Sequence, residues 1–358
     1  MTFVSTALTG LTATELPVGD LIAEALADAG VTTVFGVVSI HNMPILDAIL
    51  RQGRIRFVPA RGEAGAMNMA DAHARVSRSL GVVVTSTGTA AGNAAGAQVE
   101  ALTAGSPVLH ITTQVDVAFM DRDRAAIHDV PRQPDMLKAV SKAYFRIWEA
   151  RGALATLEAA MSAALSAPSG PVSLEIPVDV QRGTATRPAA PCRPAIVRIV
   201  PHAEKLDVAA RLIAAAKRPL IFLGGGARGA AAAATALTDR GFAAVTSTNG
   251  RAVVPEDHPR SLGAFNMTAE AQALYERADL VLVVGTRLRG NETRNNLMRL
   301  PRPTIQIDAD ASQGGRNYPV DLFIHADADA ALDGLLARLP ARLDTDAGFP
   351  GEVATARA

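Results

Sequence analysis

Short β-rich runs alternate with amphipathic helical stretches along nearly the whole chain, and they do so twice, on either side of a polar, proline-rich segment, RGTATRPAAPCRP. Strands separated by helices in this way pair in parallel, with helices on both faces of the sheet. In the first half VTTVFGV, IRFVPA, SLGVVVTST, SPVLHITTQ and PVSLEIPV read as strands. The stretch VGDLIAEALADAG is helical and ends at Gly30, where a C′ glycine belongs. MPILDAILRQG, GAMNMADAHARVS, NAAGAQVEALTAG, DMLKAVSKAYFRI and ARGALATLEAAMSAALSA supply the other helices. In the second half RPLIFLGGG, FAAVTST, DLVLVVGT, PTIQIDAD and LFIHADA read as strands, among helices such as EKLDVAARLIAAA and ALDGLLARL. The expected fold class is therefore α/β, two domains, each a mostly parallel sheet flanked by helices. The segments divide as residues 1–181, a linker at 182–194, a second domain at 195–344 and a polar, small-residue tail at 345–358, expected on the surface or disordered.

A chain of 358 residues can bury two separate cores. Its 35 basic and 35 acidic side chains cancel, which argues against an electrostatic nucleic-acid binder. With Cys192 as the single cysteine, neither a disulfide framework nor a cysteine metal cluster is available. No run of 18 apolar residues occurs, and the N-terminus lacks a basic region followed by an apolar core. The chain thus reads as cytoplasmic, with no membrane span.

Chemistry concentrates in residues 55–95. Glu63 lies where IRFVPA turns into the next helix, and open parallel sheets bind ligands outside the carboxyl ends of their strands. An acidic residue at a helix start also has a bland explanation, since the helix dipole favours it there. The following strand runs into STGTAAGNAAGA, whose small residues let another backbone approach closely. In the second half Gly224, Gly226 and Gly229 satisfy G-x-G-x-x-G directly after a strand. The next strand ends in Thr248 and Asn249 rather than in a ribose-binding carboxylate, which disfavours NAD. A structural glycine turn or the adenine-nucleotide end of FAD remain as readings. The histidines are scattered outside any metal-binding pattern. His110, inside an apolar strand, reads as a satisfied core histidine, whereas His41 and His128 fall in loops near strand ends. Arg287, Arg289 and Arg294, around ETRNN, suit an anionic ligand as well as they suit a solvated rim or a subunit contact.

The order of these segments resembles the N-terminal two-thirds of thiamine-diphosphate-dependent enzymes of the acetolactate synthase, benzoylformate decarboxylase and pyruvate oxidase type. Glu63 followed by Ala64, Gly65, Ala66 and MNMADAHAR is similar to the family's glutamate and small-residue helix. TSTGTAAGNAAGA, SPVLHITTQ and SGPVSLEIPVDVQ follow in the family's order, as do RPLIFLGGG, HPRSLGAF, ADLVLVVGTRLR and TIQIDAD. The resemblance covers nearly all of residues 15–340. It implies a pyrimidine-binding domain and a central domain, with Glu63, Gly88, Asn93 and Gln114 toward the cofactor. Glu63 would hydrogen-bond the aminopyrimidine ring and so help the cofactor lose its C2 proton and attack a 2-oxo acid. An apolar pocket around Glu63 is expected to suit that shared proton.

Three departures matter. GVVSIHN replaces the usual G-x-P-G turn and places Ser39, His41 and Asn42, with His128, at a possible substrate loop. GTAAGN lacks the Gly-Pro-Gly of the synthases. No GDG occurs, so the Mg²⁺ ligands and diphosphate anchor of the family's third domain are expected from outside this sequence, and the chain holds no metal ligands of its own. The resemblance therefore implies a transferase or lyase, a 2-oxo acid decarboxylase or carboligase, that is inactive as this chain alone. A homodimer or homotetramer is expected, with FAD and NAD both read as unbound. The first expectation is a fragment of a longer enzyme; the alternatives are one subunit of a split enzyme, completed by a chain that supplies the missing domain, and a non-catalytic small-molecule-binding or regulatory homologue.

Overall fold

The computed structural model describes residues 13–357 and divides into two units at Val197 and Arg198. The first unit runs β1 (Thr14–Pro17), α1 (Val18–Asp28), β2 (Thr33–Gly36), α2 (Met43–Gln52), β3 (Arg56–Pro59), α3 (Glu63–Ser77), β4 (Gly81–Thr85), α4 (Thr89–Ala104) and β5 (Val108–Gln114). It continues with α5 (Gln133–Ala139), β6 (Ala143–Arg146), α6 (Ala153–Leu165), β7 (Val172–Pro177), α7 (Val178–Arg182) and β8 (Thr184–Arg187). Six of these strands form a parallel sheet in the order β3-β2-β4-β5-β7-β6. Val82, Val83 and Val84 are all fully buried because helices cover both faces, which is why β4 reads as a continuous apolar run. One core forms among α1, α2, α6 and the sheet, and another between the sheet and the α3–α4 pair. Since β3 lies on one side of β2 and β4 on the other, the chain reverses direction across the sheet there. The crevice for a ligand is therefore at the carboxyl ends of β2 and β4.

The second unit contains α8 (Ala203–Ala215), β9 (Pro219–Leu223), α9 (Ala231–Arg240), β10 (Ala243–Thr246), α10 (Ala269–Arg277), β11 (Leu280–Val284), β12 (Thr304–Asp308), β13 (Leu322–His325), α11 (Ala328–Leu336) and α12 (Phe349–Arg357). Its five strands are parallel in the order β10-β9-β11-β12-β13. The glycines after β9 serve the protein's own backbone. A Cβ on Gly224 would stand 2.2 Å from the Gly285 carbonyl oxygen and 2.4 Å from Thr286 Cβ. The Gly226 N–H donates to that same carbonyl at 3.0 Å. Gly224→Ala is therefore expected to destabilise the second unit by about 1–3 kcal/mol through overpacking against backbone that has nowhere to move. Denaturant unfolding followed by circular dichroism checks this, and an unchanged midpoint would contradict it.

Three expectations need correction. The linker expected at 182–194 belongs instead to the first unit. β8 pairs antiparallel with β1, Arg187 forms an ion pair with Asp28 at 2.8 Å, and Cys192 is buried in the first core. DMLKAVSKAYFRI is not one helix: it breaks after Ala139, and Ala143–Arg146 joins the sheet edge beside β7. The tail is not merely surface, because Phe349 and Val353 of α12 are buried against α10 and the second sheet. No helix among the described residues is long and apolar enough to cross a membrane.

Candidate functional site

Asn42 closes the loop after β2. Its side chain is fully buried, its Nδ2 donates to the Val37 carbonyl at 2.9 Å, and its Oδ1 accepts the Ser39 N–H at 2.9 Å. This presents Ser39 and His41 to the turn after β4. The Ser39 and Ser86 hydroxyls lie 2.7 Å apart, and Ser86 Oγ is 3.3 Å from His41 Nδ1. His41 is 7% exposed, and its backbone carbonyl accepts from Gln181 Nε2 at 2.8 Å. The His128 ring stands edge-on to it, with centroids 6.2 Å apart. Burial is the main reason the His41 pKa falls below the usual histidine value; the charge of His128 adds to that, and Asp116 opposes it. A neutral imidazole keeps one donor and one acceptor nitrogen, the form that exchanges a proton with a neighbour. Ser39, His41, Asn42 and His128 thus converge at the crevice between β2 and β4.

Glu63 is the first residue of α3, half-buried, at the carboxyl end of β3. Asn93, one turn into α4, donates from Nδ2 to Glu63 Oε2 at 3.1 Å. Ala64, Gly65, Asn93 and Gly96 are exposed, and nothing lies within 4 Å of the place a Cβ would occupy on Gly62, Gly65 or Gly96. The apolar pocket expected around Glu63 is therefore not enclosed by the described residues. The carboxylate looks onto open space framed by glycine and alanine.

Gly88 and Gln114 lie deeper. Gly88 adopts φ 60°, and a Cβ there would stand 2.3 Å from the His128 carbonyl oxygen, so only glycine fits between this turn and the loop after β5. Gln114 is fully buried; its Oε1 accepts from the Thr87 hydroxyl at 2.8 Å and from the Val115 N–H at 2.9 Å. Both residues build the turn that starts α4, and the buried Gln114 Nε2 has no hydrogen-bond partner among the described residues. The residues that complete this turn escaped the sequence reading. The Gly88 N–H donates to Gln133 Oε1 at 2.6 Å, and Gln133 Nε2 donates to Glu175 Oε1 at 2.5 Å. Glu175 also accepts from the Tyr144 hydroxyl and from Arg146 Nε at 2.7 Å. The signal was present, since Glu175 is the one charged residue inside the apolar strand VSLEIP.

His110 is the satisfied core histidine expected. Its Nε2 lies 2.9 Å from the Thr85 hydroxyl and its Nδ1 2.8 Å from Gln98 Oε1, whose amide nitrogen is committed to Ser141 and Ser173. Complete burial lowers its pKa to about 3. The unfolded chain therefore binds a proton below about pH 6.5 that the folded chain refuses. Stability from His110 is full above pH 6.5 and falls as pH drops toward 3. His110→Gln is expected to lose less with acidification, so its deficit against wild type should narrow by ~1 kcal/mol per pH unit below 6.5. Urea unfolding at stepped pH values measures this, and a constant deficit would show that His110 is protonated in the fold.

Among the described residues no group of three or more His, Cys, Asp or Glu side chains is arranged to hold a metal ion. Residues 16–136 match the model for the thiamine pyrophosphate enzyme N-terminal TPP binding domain, and residues 206–335 match that for the thiamine pyrophosphate enzyme central domain. A "probable 2-ketoarginine decarboxylase" of Pseudomonas aeruginosa is 33% identical over 348 residues, covering 96% of this chain and 62% of that protein. A "probable acetolactate synthase large subunit" of Methanocaldococcus jannaschii is 30% identical, covering 89% of this chain and 56% of the relative. An acetolactate synthase of Mycobacterium bovis is 29% identical over 89% of this chain and 52% of its own length. The chain thus spans a little over half the length of these relatives. With both of its units matched in order, and with Glu63 and Asn93 facing open space beside the switch point of the first, the chain belongs to the thiamine pyrophosphate enzyme family.

Proposed function

We propose that these two domains serve a thiamine-diphosphate-dependent 2-oxo acid decarboxylase or carboligase, a lyase or transferase, in which Glu63 activates the cofactor's aminopyrimidine. The observation that carries this reading is the Glu63–Asn93 pair, joined at 3.1 Å and opening onto glycine-framed space at the strand ends of the TPP binding domain. Thiamine diphosphate, when bound, would supply an electron sink for the loss of carbon dioxide from a 2-oxo acid. Glu63 would hold a proton at the ring nitrogen, while Asn93 fixes one carboxylate oxygen and leaves the other for the ligand. Across the crevice the Ser39, Ser86 and His41 chain, with His128, faces the substrate and can pass a proton to or from its carbonyl oxygen. Mg²⁺ and the diphosphate would be held by a third domain carried by a longer form or by a partner chain, and the assembled enzyme would be a homodimer or homotetramer. The glycine turn of the second unit is proposed as structural, since Gly224 and Gly226 pack on Gly285.

The test is NMR-monitored exchange of the C2 proton of thiamine diphosphate with added Mg²⁺. Exchange faster than that of the free cofactor is expected in a form that carries the third domain, and no 2-oxo acid turnover from the 358-residue chain alone. Tight cofactor binding without accelerated exchange in the completed form would favour the non-catalytic reading instead. Turnover by the 358-residue chain alone would overturn the need for a third domain.

A further inference from the structure

We propose that Glu175 and Gln133 are positioning residues: the Glu175 carboxylate sets the orientation of the Gln133 carboxamide, and that carboxamide holds the Thr87–Gly88 turn from which α4 presents Asn93 to Glu63. The link to cofactor activation rests on the functional reading of Glu63 above; the structural device stands apart from it.

A glutamine carboxamide can be turned over with little change in shape, exchanging its donor and acceptor ends. Here both ends are spoken for. Glu175 is fully buried and, as a carboxylate, can only accept, so it takes the Nε2 side of Gln133 at 2.5 Å. That leaves Gln133 Oε1 facing the turn, where it receives the Gly88 N–H at 2.6 Å and lies 3.3 Å from the Thr87 hydroxyl. Gly88 is the residue before the first turn of α4, and Asn93 sits on that helix with its amide on Glu63. A rotation of the turn would carry Asn93 with it.

The other side of Glu175 is equally fixed. Tyr144 and Arg146 both donate to Oε2, and Arg146 Nη2 contacts the same oxygen at 2.6 Å, outside hydrogen-bond alignment. Arg146 also donates to Asp121, in the loop that carries His128. One buried carboxylate on β7 therefore ties the strand ends of β4 to the edge strand β6 and to the loop after β5. Both oxygens of Glu175 and both ends of Gln133 are paired in a low-dielectric interior, with Arg146 Nη2 the one member lacking an aligned partner, and such pairing favours a single arrangement.

Hydrogen–deuterium exchange of the 358-residue protein tests the device. Gln133→Met keeps the side chain's length and removes its hydrogen bonds to Gly88, Thr87 and Glu175. Amides at 86–93 are expected to exchange ~10-fold faster or more, as for a buried N–H deprived of its acceptor, while α1 and α6 keep wild-type rates. Unchanged exchange at 86–93 would overturn the proposal, and so would an equal rise in α1 and α6. Should Gln133→Met fail to fold, Glu175→Gln decides. It keeps the volume but frees the carboxamide to turn, and is expected to speed exchange at 86–93 by roughly 3-fold or more; no rise there would refute the orienting role.

Thiamine is then titrated in, with protection of residues 61–70 as the readout. Wild type is expected to gain protection, and the variants to need roughly 10-fold more thiamine for half the effect. Variants that bind as tightly as wild type would overturn the positioning role. Absence of thiamine-dependent protection in wild type would instead count against the cofactor reading, with the exchange at 86–93 still deciding the role of Glu175.

Discussion

Glu63→Gln in a form completed by the diphosphate-binding domain is expected to slow C2–H exchange of thiamine diphosphate by ~100-fold or more, the scale of a positioned proton transfer. The fold should be almost untouched. Glu63 is half-buried at the start of α3, glutamine has the same length, and its carbonyl oxygen can still accept from Asn93 as Oε2 does at 3.1 Å. In the proposed role, what disappears is the carboxylate that would share a proton with the ring nitrogen, because a neutral amide would not support the protonated pyrimidine. Binding is therefore expected to change little while exchange collapses. NMR-monitored C2–H exchange at saturating cofactor separates the two, and exchange at the wild-type rate in the Gln variant would remove Glu63 from this role.

The architecture was legible because parallel strands buried on both faces leave unbroken apolar runs, such as LVLVV in β11 and PLIFL in β9. What was not legible depended on partners distant in sequence. β8 reads TATR, a polar run with nothing local to mark it as a strand. It becomes one because Thr14–Pro17 lies alongside, with Leu16 opposite Ala185. Likewise KAYFRI continues a helical period on paper, but pairing with β7 turns Tyr144 and Arg146 toward Glu175. The tail reads as polar because its apolar content is thin. Phe349 and Val353 nonetheless find a buried place, and Arg218 reaches Asp346 and Glu352 beside them.

The site was legible to the same depth. Glu63 and Asn93 stand on separate helices, 30 residues apart, and the close packing of α3 and α4 is what lets an Asn reach a Glu across them. Ser39, His41 and His128 could be placed in loops from sequence, but the meeting of Ser39 and His41 at Ser86, with the His128 ring beside His41, follows from strand order, which periodicity does not report. Gly88 and Gln114, expected from the resemblance to lie toward the cofactor, shape the turn that starts α4.

Arg146→Met is expected to destabilise the first unit by about 3–5 kcal/mol, the usual cost of stranding one member of a buried ion pair. The Arg146 side chain is 6% exposed and that of Glu175 fully buried. Burial opposes the charge on Arg146, yet Glu175 and Asp121 outweigh it and raise its pKa above the ordinary guanidinium range. Methionine would fill most of the space and leave Glu175 with only Tyr144 and Gln133 as donors. The cost should therefore come from the uncompensated charge rather than from a cavity. Removing the charge as well separates the two causes: Arg146→Met with Glu175→Gln is expected to recover more than half of the loss, since no buried ion remains. The only tryptophan, Trp148, has its ring 4.9 Å from the Arg146 guanidinium, so its fluorescence in urea reports the first unit without interference from the second. A loss under ~1 kcal/mol, the scale of an exposed pair, would mean that water reaches Glu175 and that the charge is not held as described. A double variant as unstable as the single one would place the cost in lost packing instead.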